Sequence, residues 1–141
     1  MAFSNNVINV ATSDLAILDT GCSCHCISDT TQCDNKVATT RGITVGIPNG
    51  HSMRATHTAD LNLDHIPLDL PPSTKHSSVF KELQHKALIS IAQFCDAGYE
   101  AIFDDLAAYL AVKGSQTRTR IGTRNKSTDL WTMDTNKKRA I

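Results

Sequence analysis

The stretch Leu15-Ala16-Ile17-Leu18-Asp19-Thr20-Gly21-Cys22 decides how the rest of the chain is read. Leu15, Ile17 and Leu18 make a short apolar run of the kind that forms a buried strand. Gly21 ends the run and lets the backbone turn sharply. A carboxylate is thereby carried out of a buried strand and fixed at a tight bend. Two such carboxylates facing each other can share a proton, one acting as base and the other as acid. A chain of 141 residues with one such motif supplies half of that pair, so a homodimer belongs to the reading. Taken alone, Asp-Thr-Gly is also an ordinary turn signal. The order of the elements around it carries the weight.

Upstream, residues 6–11 alternate as a first strand would, and Thr12-Ser13-Asp14 reads as its turn. Downstream, residues 28–36 are polar and read as an exposed loop. Ile43, Val45 and Ile47 alternate with Thr44 and Gly46, the pattern of a half-buried strand. Pro48-Asn49-Gly50 closes it as a hairpin tip, with a return arm over residues 51–57. Alternation resumes over 59–63 and 65–70, where Leu61, Leu63, Ile66, Leu68 and Leu70 are apolar. Residues 71–78 have loop composition, and Val79 to Leu83 reads as a short turn or strand. Ala87 to Ser90 is an apolar strand, and Ser90 can cap a short helix from Ile91 to about Ala97. In that helix Ile91, Phe94 and Cys95 share a face, and Gly98 ends it. Tyr99 to Phe103 returns as a strand. Residues 104–112 stay open between helix, favoured by Ala and Leu, and strand, favoured by context. From 114 onward the chain is polar and expected to be loose, apart from an apolar anchor at Leu130 and Trp131.

Aromatic residues are only 5% of the chain, so its core must rest on Leu, Ile, Val and Ala. No apolar run reaches the length of a membrane span, and no charged-then-apolar leader opens the sequence; this reads as an intracellular protein with no membrane partner. The net charge of zero hides an asymmetry. Residues 1–112 carry 6 Lys/Arg against 12 Asp/Glu, whereas residues 113–141 carry 8 against 2. The basic end is a solvated linker or a weak contact for nucleic acid or an acidic partner. The chain is accordingly divided into a folded domain at 1–113 and a basic tail at 114–141. The five cysteines are odd in number, which argues for reduced thiols. Cys22, Cys24, His25, Cys26 and Cys33 resemble a ligand cluster, but their spacing is not that of a familiar zinc site. On a strand the three close cysteines share one face while His25 points the other way. Small, mostly buried thiols without a disulfide are expected, with no metal and no cofactor.

The motif order resembles the retropepsins, the dimeric aspartic proteases of retroviruses and related retroelements. It is closer to the protease region of copia-type LTR retrotransposon polyproteins. Asp19-Thr20-Gly21-Cys22-Ser23-Cys24-His25 is similar to their Asp-Ser/Thr-Gly, small residue, two positions, His. Ile47-Pro48-Asn49-Gly50-His51-Ser52 looks like their flap hairpin, and Thr56 to Leu61 continues as those proteins do. Leu88-Ile89-Ser90-Ile91-Ala92-Gln93-Phe94-Cys95-Asp96-Ala97-Gly98 resembles the segment Leu-Leu-Ser-Val-Gly-Gln-Leu-Cys-Asp-x-Gly. Gly122-Thr123-Arg124 and Leu130-Trp131 look like the boundary between protease and integrase. Cys22 stands where Ala is usual, and Ala92 replaces a common Gly.

That resemblance implies a mainly β, closed retropepsin-like barrel with one short helix and half a site per chain. It implies an aspartic endopeptidase that processes a Gag-Pol polyprotein as a homodimer, with Asp19 catalytic in each chain. Thr20 would bond across the dimer axis, and Gly21 would offer its carbonyl to the substrate. Ile47, Pro48, Asn49, Gly50 and His51 would form a lid over a bound peptide. The implied location is a cytoplasmic virus-like particle, with the nucleus as second compartment. The competing reading is a degenerate or repurposed module that dimerises or binds peptides without cleaving them. Two further alternatives are a metal or redox protein built on Cys22–Cys33 and a cellular, ubiquitin-linked retropepsin-like protease.

Overall fold

The computed structural model describes residues 15–46 and 50–134. The expected strand at 6–11 and Ile47, Pro48 and Asn49 of the hairpin tip lie outside the described residues. In chain order the strands are β1 (Ala16–Asp19), β2 (His25–Ile27), β3 (Cys33–Ala38), β4 (Thr44–Gly46), β5 (Ser52–Arg54) and β6 (His57–Leu61). They continue as β7 (His76–Val79), β8 (Ala87–Ser90), β9 (Tyr99–Phe103), β10 (Ala107–Val112), β11 (Thr119–Asn125) and β12 (Leu130–Met133), with helix α1 (Ile91–Asp96) after β8. The protein is mainly β with one short α-helix among the described residues, as its alternating apolar pattern implies.

Ten strands form one sheet in the order β3-β6-β7-β2-β8-β1-β12-β11-β10-β9, and β4 with β5 forms a separate hairpin. The apolar run around Ile17 lies near the middle of this order. β1 pairs in parallel with β8, Asp19 opposite Ser90, and in antiparallel fashion with β12, Ile17 opposite Thr132. Successive residues Ile17 and Leu18 face opposite sides of the sheet and are both buried, which is why the sequence is a continuous apolar run rather than an alternating one. Ile17 and Leu18 are buried, and Leu18 joins Ile27, Ile89, Ile91, Phe94, Leu110 and Ile121 in the main core. As the scarcity of aromatics requires, Phe94 is the one aromatic among that core's buried residues.

Four expectations are corrected. The closed barrel is not found: β3 and β9 are the two ends of the ten-strand order and do not pair with each other, and the β4–β5 hairpin stands apart. Residues 28–36, expected as loop, contain most of β3, an exposed edge strand held on β6 with Asp34 opposite Asp60. Its polar sequence follows from its place, since an edge strand with little burial gains from charges that discourage further pairing. Residues 65–70 are no strand. Their amides bond two or three residues back (Ile66 to Leu63, Leu68 to Ile66, Leu70 to Leu68), so Leu63, Ile66 and Leu70 reach the core through turns. Pro67 lies within that stretch and Pro71 directly follows it, and neither can donate to a ladder. Within the expected loop at 71–78, β7 begins at His76.

The basic segment departs most from expectation. Through residue 134 it is not loose: β11 and β12 continue the sheet and join it to β1. A Cβ at Gly122 would lie 2.5 Å from the Thr132 carbonyl oxygen and 2.7 Å from Leu18 Cδ1, so β11 packs here at a distance only glycine permits. The Trp131 indole donates to the Asp104 carbonyl at 2.9 Å and meets Phe103 edge-on with ring centroids 5.4 Å apart. Arg120 pairs with Asp134 at 3.0 Å, Arg124 with Asp129 at 3.2 Å, and Arg124 also lies over the Trp131 ring. Part of the basic charge is thus engaged within the protein itself. Residues 104–112, left open by sequence, hold strand β10, paired on both sides by β9 and β11.

Candidate active site

Asp19 is the last residue of β1, and the chain turns immediately after it. The Gly21 amide donates to Asp19 Oδ1 at 2.7 Å, fixing the carboxylate over its own turn. A Cβ at Gly21 would stand 3.3 Å from that same oxygen, so glycine provides the close approach. Thr20, Gly21 and Ser23 are exposed, and Asp19 is half-buried. Asp19 is thus partly covered by protein and partly open to solvent.

The turn is anchored by side chains far away in sequence. Ser90, opposite Asp19 and fully buried, donates its hydroxyl to the Cys22 carbonyl at 2.6 Å. The Ser90 hydroxyl oxygen in turn accepts from the Gln93 amide at 3.2 Å, which is the N-cap bond of α1. The expected helix start is therefore found, and the cap has a second task in tying down the strand that leaves the turn.

His25 completes the anchor. Its ring is wholly buried, with Nδ1 accepting from the Ser90 amide at 2.8 Å and Nε2 2.6 Å from the Thr74 carbonyl. A carbonyl can only accept and an amide can only donate, so these partners require the neutral tautomer with its proton on Nε2. Burial, the largest influence, pushes His25 down to about 4 even though the Thr74 bond favours the charged form. The His25 amide donates to Gln93 Oε1 at 2.7 Å, and Gln93 Nε2 donates to the carbonyls of Ser73 and His76. Four segments (the turn, β7 with the 3-10 turn before it, β8 and α1) meet in this network.

Cys26 alternates with His25 in β2 as expected, but Cys22 and Cys24 belong to the turn before β2 and not to a strand. Cys26 is buried with Met53, Ala55 and Phe80, and Cys22, Cys24 and Val45 pack against that group. Val45 and Met53 are opposite one another in the β4–β5 hairpin, so the hairpin's base rests on the cysteines that follow Asp-Thr-Gly. Of the expected lid residues, Gly50 and His51 are exposed, and Gly50 has a φ of +87°, which suits glycine in a tight bend. The Cys22 and Cys26 sulfurs are 3.8 Å apart. A continuous strand would hold them farther apart; the turn at residues 20–24 folds the chain back and closes the gap.

Among the described residues no group of three or more His, Cys, Asp or Glu side chains is arranged to hold a metal ion. No helix among them is long and apolar enough to cross a membrane. Sequence reading placed Asp19, Thr20 and Gly21 together at the turn and Ser90 at the helix start. It missed His25 and Gln93 as parts of the support, although both stand inside the motifs quoted above. Comparison with family models, with curated proteins and with solved structures returns no match.

Proposed function

We propose that the chain is a retropepsin-like aspartic endopeptidase in which two copies each contribute Asp19, and that its substrate is a retroelement polyprotein. The observation that carries the reading is the placement of Asp19: the end of a buried strand, a carboxylate gripped at 2.7 Å by the Gly21 amide, and part of the residue open to solvent. A second carboxylate brought against that open part would create the shared-proton pair. Two carboxylates a few Å apart cannot both ionise readily, so one would stay protonated. The ionised member would take a proton from water, the water would attack the peptide carbonyl, and the protonated member would donate to the oxyanion or the leaving amine. The support from Ser90, His25 and Gln93 suits such a task, since catalytic groups work when their geometry is set in advance. The β4–β5 hairpin, resting on the same turn, is a suitable lid over an extended peptide.

The test is hydrolysis of a peptide covering residues 113–141 and of a degenerate peptide library, by the wild type and by Asp19→Asn. Cleavage by the wild type alone, blocked by a pepstatin-like transition-state mimic, supports the enzyme. A folded dimer that binds these peptides and cleaves none favours the repurposed module.

A further inference from the structure

The thiols beside the turn carry an inference of their own. Cys22 is half-buried, directly follows Gly21, and donates its Sγ–H to the Cys24 carbonyl at 2.7 Å. Its sulfur is 3.8 Å from that of Cys26, which is anchored in β2 and buried against Met53 and Phe80. A disulfide would require the two sulfurs to close by roughly 1.8 Å. The mobile partner in that movement is the turn, because Cys26 sits inside a packed strand. We propose that Cys22 and Cys26 form a dithiol–disulfide pair that a hydroperoxide closes, and that the closed bond draws the Asp19–Gly21 turn out of its working geometry.

The chemistry balances with the peroxide as the only oxidant. The Cys22 thiolate attacks the peroxide oxygen, giving a sulfenic acid and releasing an alcohol or water once the leaving oxygen takes a proton. The Cys26 thiol then attacks the sulfenic sulfur; the S–O bond breaks, the S–S bond forms, and the hydroxyl leaves as water with the Cys26 proton. Two thiols and one hydroperoxide become one disulfide, one alcohol (or water) and one further water. The Cys26 thiol, as a hydrogen-bond donor, lowers the pKa of Cys22 while its own is raised, so Cys22 carries the attacking thiolate and Cys26 keeps the proton that leaves with the hydroxyl. The same donor brings Cys24 to about 7, so Cys24 competes for the peroxide and the Cys24→Ser variant separates the two. Cys33, by contrast, is pushed up to about 11 by burial and takes no part.

The consequence for Asp19 follows from connectivity. The Cys22 carbonyl is the acceptor for Ser90, and Cys22 is bonded to the glycine whose amide holds the catalytic carboxylate. Pulling Cys22 toward β2 strains both contacts. This consequence rests on the proposed protease reading, whereas the bond itself does not.

The experiment treats the full chain with a limiting amount of hydrogen peroxide, alkylates the free thiols and digests on the amino side of aspartate. Asp19 to Ser28 is then released as one fragment holding Cys22, Cys24 and Cys26 without Cys33. The expected result is a fragment lighter by two hydrogens with a single alkyl group, on Cys24. Cys24→Ser should still form the bond, and Cys22→Ala and Cys26→Ala should not. No bond in the wild type, or a bond lost in Cys24→Ser, overturns the pairing. Cleavage of the degenerate library should fall about tenfold or more on oxidation, as expected for a displaced catalytic group, and return with dithiothreitol. Cys26→Ala should lose none of its own rate to peroxide. An oxidised wild type that keeps its full rate overturns the effect on the turn. A reduced protein that cleaves nothing overturns the protease reading instead, and the fragment masses still decide the thiol pair.

Discussion

The residue that carries the account, Asp19, was legible because its context is local: an apolar run, a turn residue and a glycine within a few positions. Its support was not. His25 has its partners at Thr74 and Ser90, 49 and 65 positions away, and a lone histidine near cysteines gives no sign of them. Its burial has a measurable consequence. The folded chain holds His25 neutral down to about 4, whereas an unfolded histidine takes up a proton near 6.5. Between those values the unfolded state binds more protons, so stability falls as pH falls through that window, by roughly 3 kcal/mol if no other group intervenes. Urea unfolding followed by Trp131 fluorescence should show the midpoint dropping from neutral pH towards about 4. His25→Gln can accept from Ser90 and donate to Thr74 without titrating, so it should flatten that slope; an equally steep slope in this variant would remove His25 from the explanation. At the position in β8 opposite Asp19, Ser90→Ala removes the helix cap and leaves the partly buried Cys22 carbonyl without its Ser90 donor. A loss of about 2 kcal/mol or more is expected, measured by the same unfolding, with a smaller loss for Ser90→Thr.

At the scale of elements, strands with a buried face announced themselves, and strands defined by pairing did not. β1, β8 and β9 could be read because apolar residues must leave water. β3 could not, since its residues are mostly exposed and only the backbone ladder to β6 makes them a strand. β11 hid behind its charge: Arg120, Arg124 and Lys126 suggested a solvated tail, while Ile121 and Gly122 between them are buried. The error over 65–70 was the opposite, an alternating pattern produced by turns, with Pro67 inside the stretch and Pro71 just after it. Gly122 gives this scale its sharpest test. Gly122→Ala forces a Cβ into the Thr132 carbonyl and Leu18, so β11 must separate from β12 and β1. Overpacking of this kind costs about 1–3 kcal/mol. Because β1 ends in Asp19, the variant should lose stability and disturb the site together, seen in thermal unfolding and in amide exchange of Ile17 and Leu18. Unchanged exchange there would show that β12 does not brace β1.

At the scale of the whole molecule, the described residues form a ten-stranded sheet whose end strands do not pair with each other, with a carboxylate turn in its middle, a hairpin resting on that turn, and a thiol pair between them. Its order leaves two sheet edges, β3 and β9, unpaired with each other, and the barrel implied by resemblance is not present among the described residues. Closure could not be judged from sequence, because it depends on which strands meet rather than on the pattern within any of them. A half-site per chain requires two chains, so sedimentation should find a concentration-dependent dimer, and Asp19→Asn should leave that dimer intact because Asn nearly matches Asp in size. A chain that stays monomeric at every concentration would leave Asp19 without a second carboxylate. The most direct measurement is the initial rate of peptide cleavage against pH for the wild type and for Asp19→Asn at equal concentration. The account predicts a wild-type rate that rises as pH falls from neutral and fails once both carboxylates are protonated. It predicts a loss of about a thousandfold or more in the Asn variant. Equal rates for the two proteins would contradict it and place the chemistry elsewhere in the chain.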